Sequence, residues 1–129
     1  MRAKIRVEMV ADSVNGYSGT RLVTMSLTYP KFVHAEFMTH RVFSRNASSS
    51  RAIPVGKMID RVERRPVFPI SWGSNRPGMQ AGEELSRAAQ TEAEAVWESA
   101  MRDAVKHANR LKDLGVHKQL TNRLLELIS

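Results

Sequence analysis

The chain has 129 residues, 42% of them hydrophobic and 26% charged, with no cysteine. That is the length of one domain with a core of its own, not the composition of a disordered segment, and no apolar run nears the roughly 20 residues of a membrane helix. The missing cysteine excludes disulfides, thiolate metal sites and cysteine nucleophiles, while a net charge of +7 suits anionic partners: nucleotides, nucleic acid or an acidic surface.

The N-terminus, Met1-Arg2-Ala3-Lys4-Ile5-Arg6, lacks an apolar stretch of signal-peptide type, and the expected location is cytoplasmic. From Lys4 to Val10 the apolar Ile5, Val7 and Met9 alternate with Lys4, Arg6 and Glu8, which predicts a strand with one wet side. Asp12 to Gly19 is rich in turn formers and reads as a loop or hairpin connection. Arg21 to Thr28 alternates again, with Val23, Met25 and Leu27 on one face. An antiparallel pair follows from this order.

Thr28-Tyr29-Pro30 marks the start of a helix, because proline suits the first turn, where its missing N–H costs nothing. Phe32, Val33, Phe37 and His40 give that helix a buried stripe from about Pro30 to Arg45. Asn46 to Arg51 then holds too many short polar side chains for a helix interior. Four prolines, Pro54, Pro66, Pro69 and Pro77, punctuate the next stretch, with a short helix expected from Met58 to Arg64. From Ala81 to Leu114 apolar residues recur at three and four, including Ala89, Ala93, Val96, Trp97, Met101 and Ala108. Gly115 ends that helix, and a last one is expected from His117 to Ile128.

Charge is unevenly spread. Between Thr39 and Arg76 there are eight basic and two acidic residues, so this segment carries nearly all of the chain's positive excess. A solvated basic face is the ordinary explanation of such a run. The segment also opens with a more specific pattern. Thr39-His40-Arg41-Val42-Phe43-Ser44-Arg45-Asn46-Ala47-Ser48-Ser49-Ser50-Arg51 places His40 and Arg41 at a helix end and follows them with a polar turn. Hydroxyls and backbone N–H groups in such a turn can cradle a phosphate, which the fixed fork of Arg51 can clamp.

His40-Arg41, seven residues, Ser49, one residue and Arg51 resembles the signature of the flavin-dependent thymidylate synthases, Arg-His-Arg, seven residues, Ser, with a further arginine two positions on. Val23 to Met38 resembles the strand, proline and helix that lead into that motif, and Gly115 to Leu125 resembles a later helix that carries an arginine. Thr39 stands where the signature has its first arginine, Glu36 where a glutamine is usual, and Ala47 where glutamate is common.

The resemblance implies a mixed α/β (α+β) fold, a short antiparallel sheet packed against long helices. It implies a homotetramer whose active sites are shared between subunits, and transfer of a one-carbon unit from methylenetetrahydrofolate to dUMP. FAD would supply the hydride and NADPH would recharge it. Residues 1–129 would be a single domain, corresponding to the N-terminal part of the family or to a truncated member. By the match, Thr39, His40, Arg41, Val42 and Ala47 would belong to the FAD site. Glu36, Ser48, Ser49, Ser50, Arg51 and Arg123 would hold dUMP. Ser49 and Arg51 are the candidates nearest the chemistry, Ser49 as a hydrogen-bonding group and not as a nucleophile. The missing cysteine agrees independently, since the other class of thymidylate synthase attacks the pyrimidine with a thiolate.

Two alternatives stand beside this reading. One is a non-catalytic truncated relative that binds nucleotide or oligomerises through its helices. The other is a basic nucleic-acid-binding module, which the 6% aromatic content disfavours because no aromatics interleave with the basic run as stacking platforms. Metal chemistry is not expected: no histidine pair or carboxylate cluster has ligand spacing. His34, His107 and His117 read as ordinary helix residues, Trp97 as core, and Trp72 as either a ligand cover or a local packing residue.

Overall fold

Alternating side chains build the first two elements as expected. In the computed structural model, which describes residues 2 and 4–129, strands β1 (Arg6–Val14) and β2 (Arg21–Thr28) pair antiparallel, with Val7 opposite Leu27 and Met9 opposite Met25. Met1 and Ala3 of the N-terminal segment lie outside the described residues. β1 runs four residues further than the alternation suggested, because the turn is tighter than its composition. The side-chain oxygen of Asn15 accepts from the N–H groups of Tyr17 (2.8 Å) and Ser18 (3.1 Å), and Gly19 takes a positive φ of 70°. Asp12 is thereby a strand residue paired with Arg21 (2.5 Å) and not part of the loop. A bulge at Val10, between Met9 and Ala11, shifts the register by one residue.

The helix after Pro30 is shorter than its stripe implied. A 3₁₀ turn at Lys31–Val33 leads into α1 (His34–Met38), which ends before His40. Two side chains stop it. The Thr39 hydroxyl donates back to the Glu36 carbonyl (2.7 Å), and the Arg45 guanidinium folds under the helix end, donating to the carbonyls of Met38 (2.8 Å) and His40. A cation at that end also opposes the helix dipole. Arg45 was expected to close the helix from within; it caps the helix from outside.

α2 (Val55–Arg64) starts directly after Pro54, three residues earlier than expected, since proline at the cap position fixes the entering backbone. α3 (Arg87–Asp113) starts later than the alanine pattern suggested. The Ser86 hydroxyl accepts from the Ala89 N–H (3.3 Å) and sets its first turn, while residues 81–86 stay outside the helix. Gly115 ends it with φ 78°, as predicted. The last helix is two single turns, α4 (Lys118–Thr121) and α5 (Arg123–Glu126), that meet at Asn122.

The core lies where α2, α3 and α5 meet: Met58, Ile59 and Val62 against Met101, Val105 and Ala108, closed by Leu125 and Ile128. Trp97 lies at the edge of this core, its indole N–H donating to the Val67 carbonyl (2.8 Å). Arg2 fastens the N-terminal segment to α3 through Glu94 (2.6 Å) and lies over the Phe68 ring at 4.3 Å. The hairpin takes no part in the core. Val7, Met9 and Met25, which share the face expected to be dry, are each at least half exposed. Among the described residues no helix is long and apolar enough to cross a membrane.

One short antiparallel sheet and a helical cluster make a mixed α+β fold. The chain exposes 10172 Å², whereas a globular monomer of 14.5 kDa exposes about 6,900 Å². Exposed apolar side chains occur in the hairpin (Val7, Met9, Val10, Leu22, Met25) and elsewhere along the chain, among them Val42, Ile70, Val96 and Leu127.

Candidate functional site

The hairpin, the aromatic residues after it, the serine turn and one edge of α2 wall a cleft of about 1880 Å³. That is larger than the roughly 300–1,000 Å³ that holds one drug-sized ligand. Its floor near α1 is aromatic. Tyr29 stacks on His34 with centroids 5.9 Å apart and donates or accepts at its Nδ1 (2.7 Å). Phe37 packs on Tyr29 (5.3 Å) and stacks with Phe43 (6.0 Å, planes 14° apart). Lys4, Lys31, Arg45, Arg61 and Arg65 also line the cleft, with Glu126 as the one carboxylate among the described lining residues. Three of the eight basic residues of the positive segment, Arg45, Arg61 and Arg65, therefore border this cavity.

The serine turn reaches the cleft in part. Ala47, Ser48 and Ser50 line it. Ser50 is buried, and its position is over-determined: its hydroxyl donates to Glu126 and its carbonyl accepts from the Asn122 side-chain amide (2.7 Å), which also donates to the Ile53 carbonyl (2.8 Å). Asn122 is fully buried and its side-chain oxygen has no partner. Arg123 reaches the same carboxylate (3.2 Å), so two residues singled out 73 positions apart, Ser50 and Arg123, meet through Glu126. Burial acts to raise the Glu126 carboxyl's pKa, but the Ser50 hydroxyl, Arg123 and the charge of Lys31 outweigh it and hold that pKa below its ordinary value.

The remaining candidates sit elsewhere. Glu36, Thr39, His40, Arg41, Val42, Ser49 and Arg51 are exposed and do not line the cleft; Val42 is 93% exposed. His40 and Arg41 occupy the turn beyond α1, and the Ser49 carbonyl accepts from the Ala52 N–H (3.0 Å). Arg51 forms no ion pair among the described residues. Within one chain, then, the motif has a part that lines the cleft, Phe43 to Ser50 without Ser49, and a part outside it that carries His40, Arg41, Ser49 and Arg51.

Glu126, Lys31 and the Tyr29–His34 pair were not found from the sequence as site residues. Glu126 and Lys31 are ordinary surface residues by pattern, and only the fold brings Glu126 to a serine 76 positions away. Trp72 packs edge-on against Trp97 (6.0 Å), and both border a smaller apolar groove on α3. No group of three or more metal-ligating side chains converges among the described residues. His117 caps α4 and accepts from the Gln119 N–H (3.3 Å). Comparison with protein-family models, curated proteins and solved structures finds no match.

Proposed function

We propose that the chain is a flavin-dependent thymidylate synthase, which methylates dUMP to dTMP with methylenetetrahydrofolate as carbon donor and reduced FAD, recharged by NADPH, as hydride source. The observation that carries the reading is that Ala47, Ser48 and Ser50, the immediate neighbours of the signature positions Ser49 and Arg51, line a large, aromatic-floored, cationic cleft. Its volume suits two planar ligands side by side, and its cations suit ligands that all bear phosphate or carboxylate.

The residues present fit a flavin. The Tyr29, Phe37 and Phe43 rings offer flat apolar surface, and the Tyr29 hydroxyl and His34 ring offer polar atoms at its margin. When bound, the flavin supplies the reducing hydride, and the protein's part is positioning. Ser48 presents a hydroxyl to the cleft. Ser50 holds the turn's backbone in place through Glu126 and Asn122. Arg51 and Arg41 lie outside the cleft and supply cationic groups, and His40 a hydrogen-bonding ring, to ligand or subunit lying against that surface. Ser49 acts as a hydrogen-bonding group there.

A site shared between subunits accounts for that outward half of the motif. It also accounts for the excess exposed area, roughly 3,300 Å² beyond a globular monomer of this mass, which is more than one standard interface buries per partner. The reading thus includes a homotetramer in the fold of the flavin-dependent family, working in the cytoplasm.

The test is an absorbance spectrum of the purified protein after incubation with FAD, followed by unfolding with and without dUMP. A flavin band near ~450 nm that stays with the protein on gel filtration, and a thermal midpoint raised by dUMP, are expected. A colourless protein that neither retains FAD nor is protected by dUMP overturns the reading.

A further inference from the structure

The basic residues of α2 sort into two sets that the sequence alone does not separate. Arg64 pairs with Asp60 (2.5 Å) and, like Lys57, does not line the cleft. Arg61 and Arg65 do line it, beside the buried Met58, and neither forms an ion pair among the described residues. Arg65 is the residue that caps α2, its own backbone already outside the helical range (φ −136°, ψ 63°), and its N–H still donates to the Arg61 carbonyl (2.9 Å), so the two residues stand one turn apart at the helix end and both border the cleft.

We propose that Arg61 and Arg65 form a second anion subsite in the cleft, apart from the serine turn, that binds the phosphate or diphosphate of a phosphorylated ligand. Three features carry this. The helix that carries Arg61 and ends at Arg65 is fixed by Met58, Ile59 and Val62 in the core, so binding has to order the two side chains but not the backbone beneath them. Two guanidinium forks one turn apart can take one phosphate between them, or the two groups of a diphosphate one each. The cleft's one described carboxylate, Glu126, is already engaged by Ser50 and Arg123, so it leaves the positive potential at α2 uncompensated. The dipole of α2 favours cations at its last turn, but that effect does not choose the cleft-facing edge, and Arg64 satisfies it outside.

The subsite uses none of the signature residues, and it stands or falls separately from the thymidylate synthase reading. Trp97 lines the cleft and reports on it by fluorescence. The probe is inorganic diphosphate, titrated at constant ionic strength against the full chain. Saturable binding at one site per chain is expected, weakened about tenfold by R61Q or by R65Q and lost in the double variant. The R61K/R65K variant keeps the charge without the forks and is expected to fall between. K57Q and R64Q are expected to bind as the wild type does. All these positions are exposed, and thermal unfolding checks that each variant folds.

Absence of saturable binding overturns the proposal, as does an equal loss in K57Q or full binding by the double variant. Titrations with FAD, riboflavin and dUMP then identify the source of the phosphate. A loss for FAD but not riboflavin assigns a dinucleotide's diphosphate, and a loss for dUMP assigns a mononucleotide's phosphate. Diphosphate binding with no flavin or dUMP binding in the wild type removes the thymidylate synthase reading and leaves the subsite. Flavin and dUMP binding unchanged in R61Q/R65Q, with no diphosphate site, does the reverse.

Discussion

The Ser50 hydroxyl donates to the Glu126 carboxylate across 76 positions of sequence, and Arg123 holds the same carboxylate from the other side. Because the charged form is favoured in the folded state, the Glu126 pKa lies below its ordinary value of 4.5. The stabilisation is therefore fully present above about pH 4.5 and is lost as pH falls through the lower folded-state value. Urea unfolding from pH 3 to 7 is expected to show this loss in the wild type and not in Glu126→Gln. At pH 7 that variant should be about 1 kcal/mol less stable. Parallel pH profiles for the two proteins would refute the pairing.

Asn122 holds the serine turn by its side-chain amide, which donates to two backbone carbonyls from a fully buried position. Asn122→Ala leaves the Ser50 and Ile53 carbonyls without these donors and is expected to cost about 2 kcal/mol or more. Asn122→Asp is worse at neutral pH, since a carboxylate then faces two carbonyl oxygens. Burial and those acceptors raise its folded pKa and favour the protonated acid, which can donate to one of them. The deficit of this variant should therefore shrink as pH falls, opposite in sign to the Glu126 effect. A deficit that does not depend on pH between 4 and 7 contradicts the assignment.

Much of the fold was legible because local chemistry decided it. Period-two alternation gave β2 its observed limits, and Gly115 ended α3 by the conformation only glycine takes easily. The errors occur where distant contacts or capping overrode a pattern. Arg45 and Thr39 terminate α1 although the apolar spacing runs on past them. In the last segment the apolar pattern pointed to Leu120, Leu124, Leu127 and Ile128; Ile128 is buried as expected, but the three leucines are exposed and Leu125 takes the core position instead. For the site, the positive segment and the serine turn could be read along the chain. Glu126 could not, since its part in the site depends on where α5 docks.

Trp97 separates the cleft from the apolar groove on α3 and lines both. Its ring meets Phe32 and Trp72 edge-on, at 6.3 and 6.0 Å, and its N–H satisfies the Val67 carbonyl. Trp97→Phe keeps most of the packing and removes the donor, so a loss of about 1 kcal/mol is expected. Trp97→Ala also removes the ring and joins the two cavities, for a loss of about 3–5 kcal/mol. Denaturant midpoints measure both. A Phe variant as unstable as the Ala variant would mean that the hydrogen bond, and not the ring, carries the site.

The hairpin gives the sharpest test of assembly. Val7, Met9, Met25 and Leu27 are neighbours on one face of a two-stranded sheet, and Met9 and Met25 lie directly opposite each other. An isolated hairpin of this kind is marginal in water, and contiguous exposed apolar residues of this extent mark an interaction surface. If a second copy covers the face, as the homotetramer in the proposed reading requires, a charge placed there must be buried or the contact must open. Met25→Glu is expected to shift the mass measured by light scattering from an oligomer towards a single chain. Ser13→Glu, on the opposite face of the same hairpin, should leave it unchanged. FAD retention should fall in Met25→Glu as well, both because Met25 lines the cleft, where a carboxylate repels an anionic ligand, and because in the proposed reading His40, Arg41 and Arg51 reach a ligand only where a neighbouring subunit closes the site. A Met25→Glu protein that stays oligomeric places the interface elsewhere. One that dissociates yet holds FAD as firmly as before shows that a single chain is enough to bind the flavin.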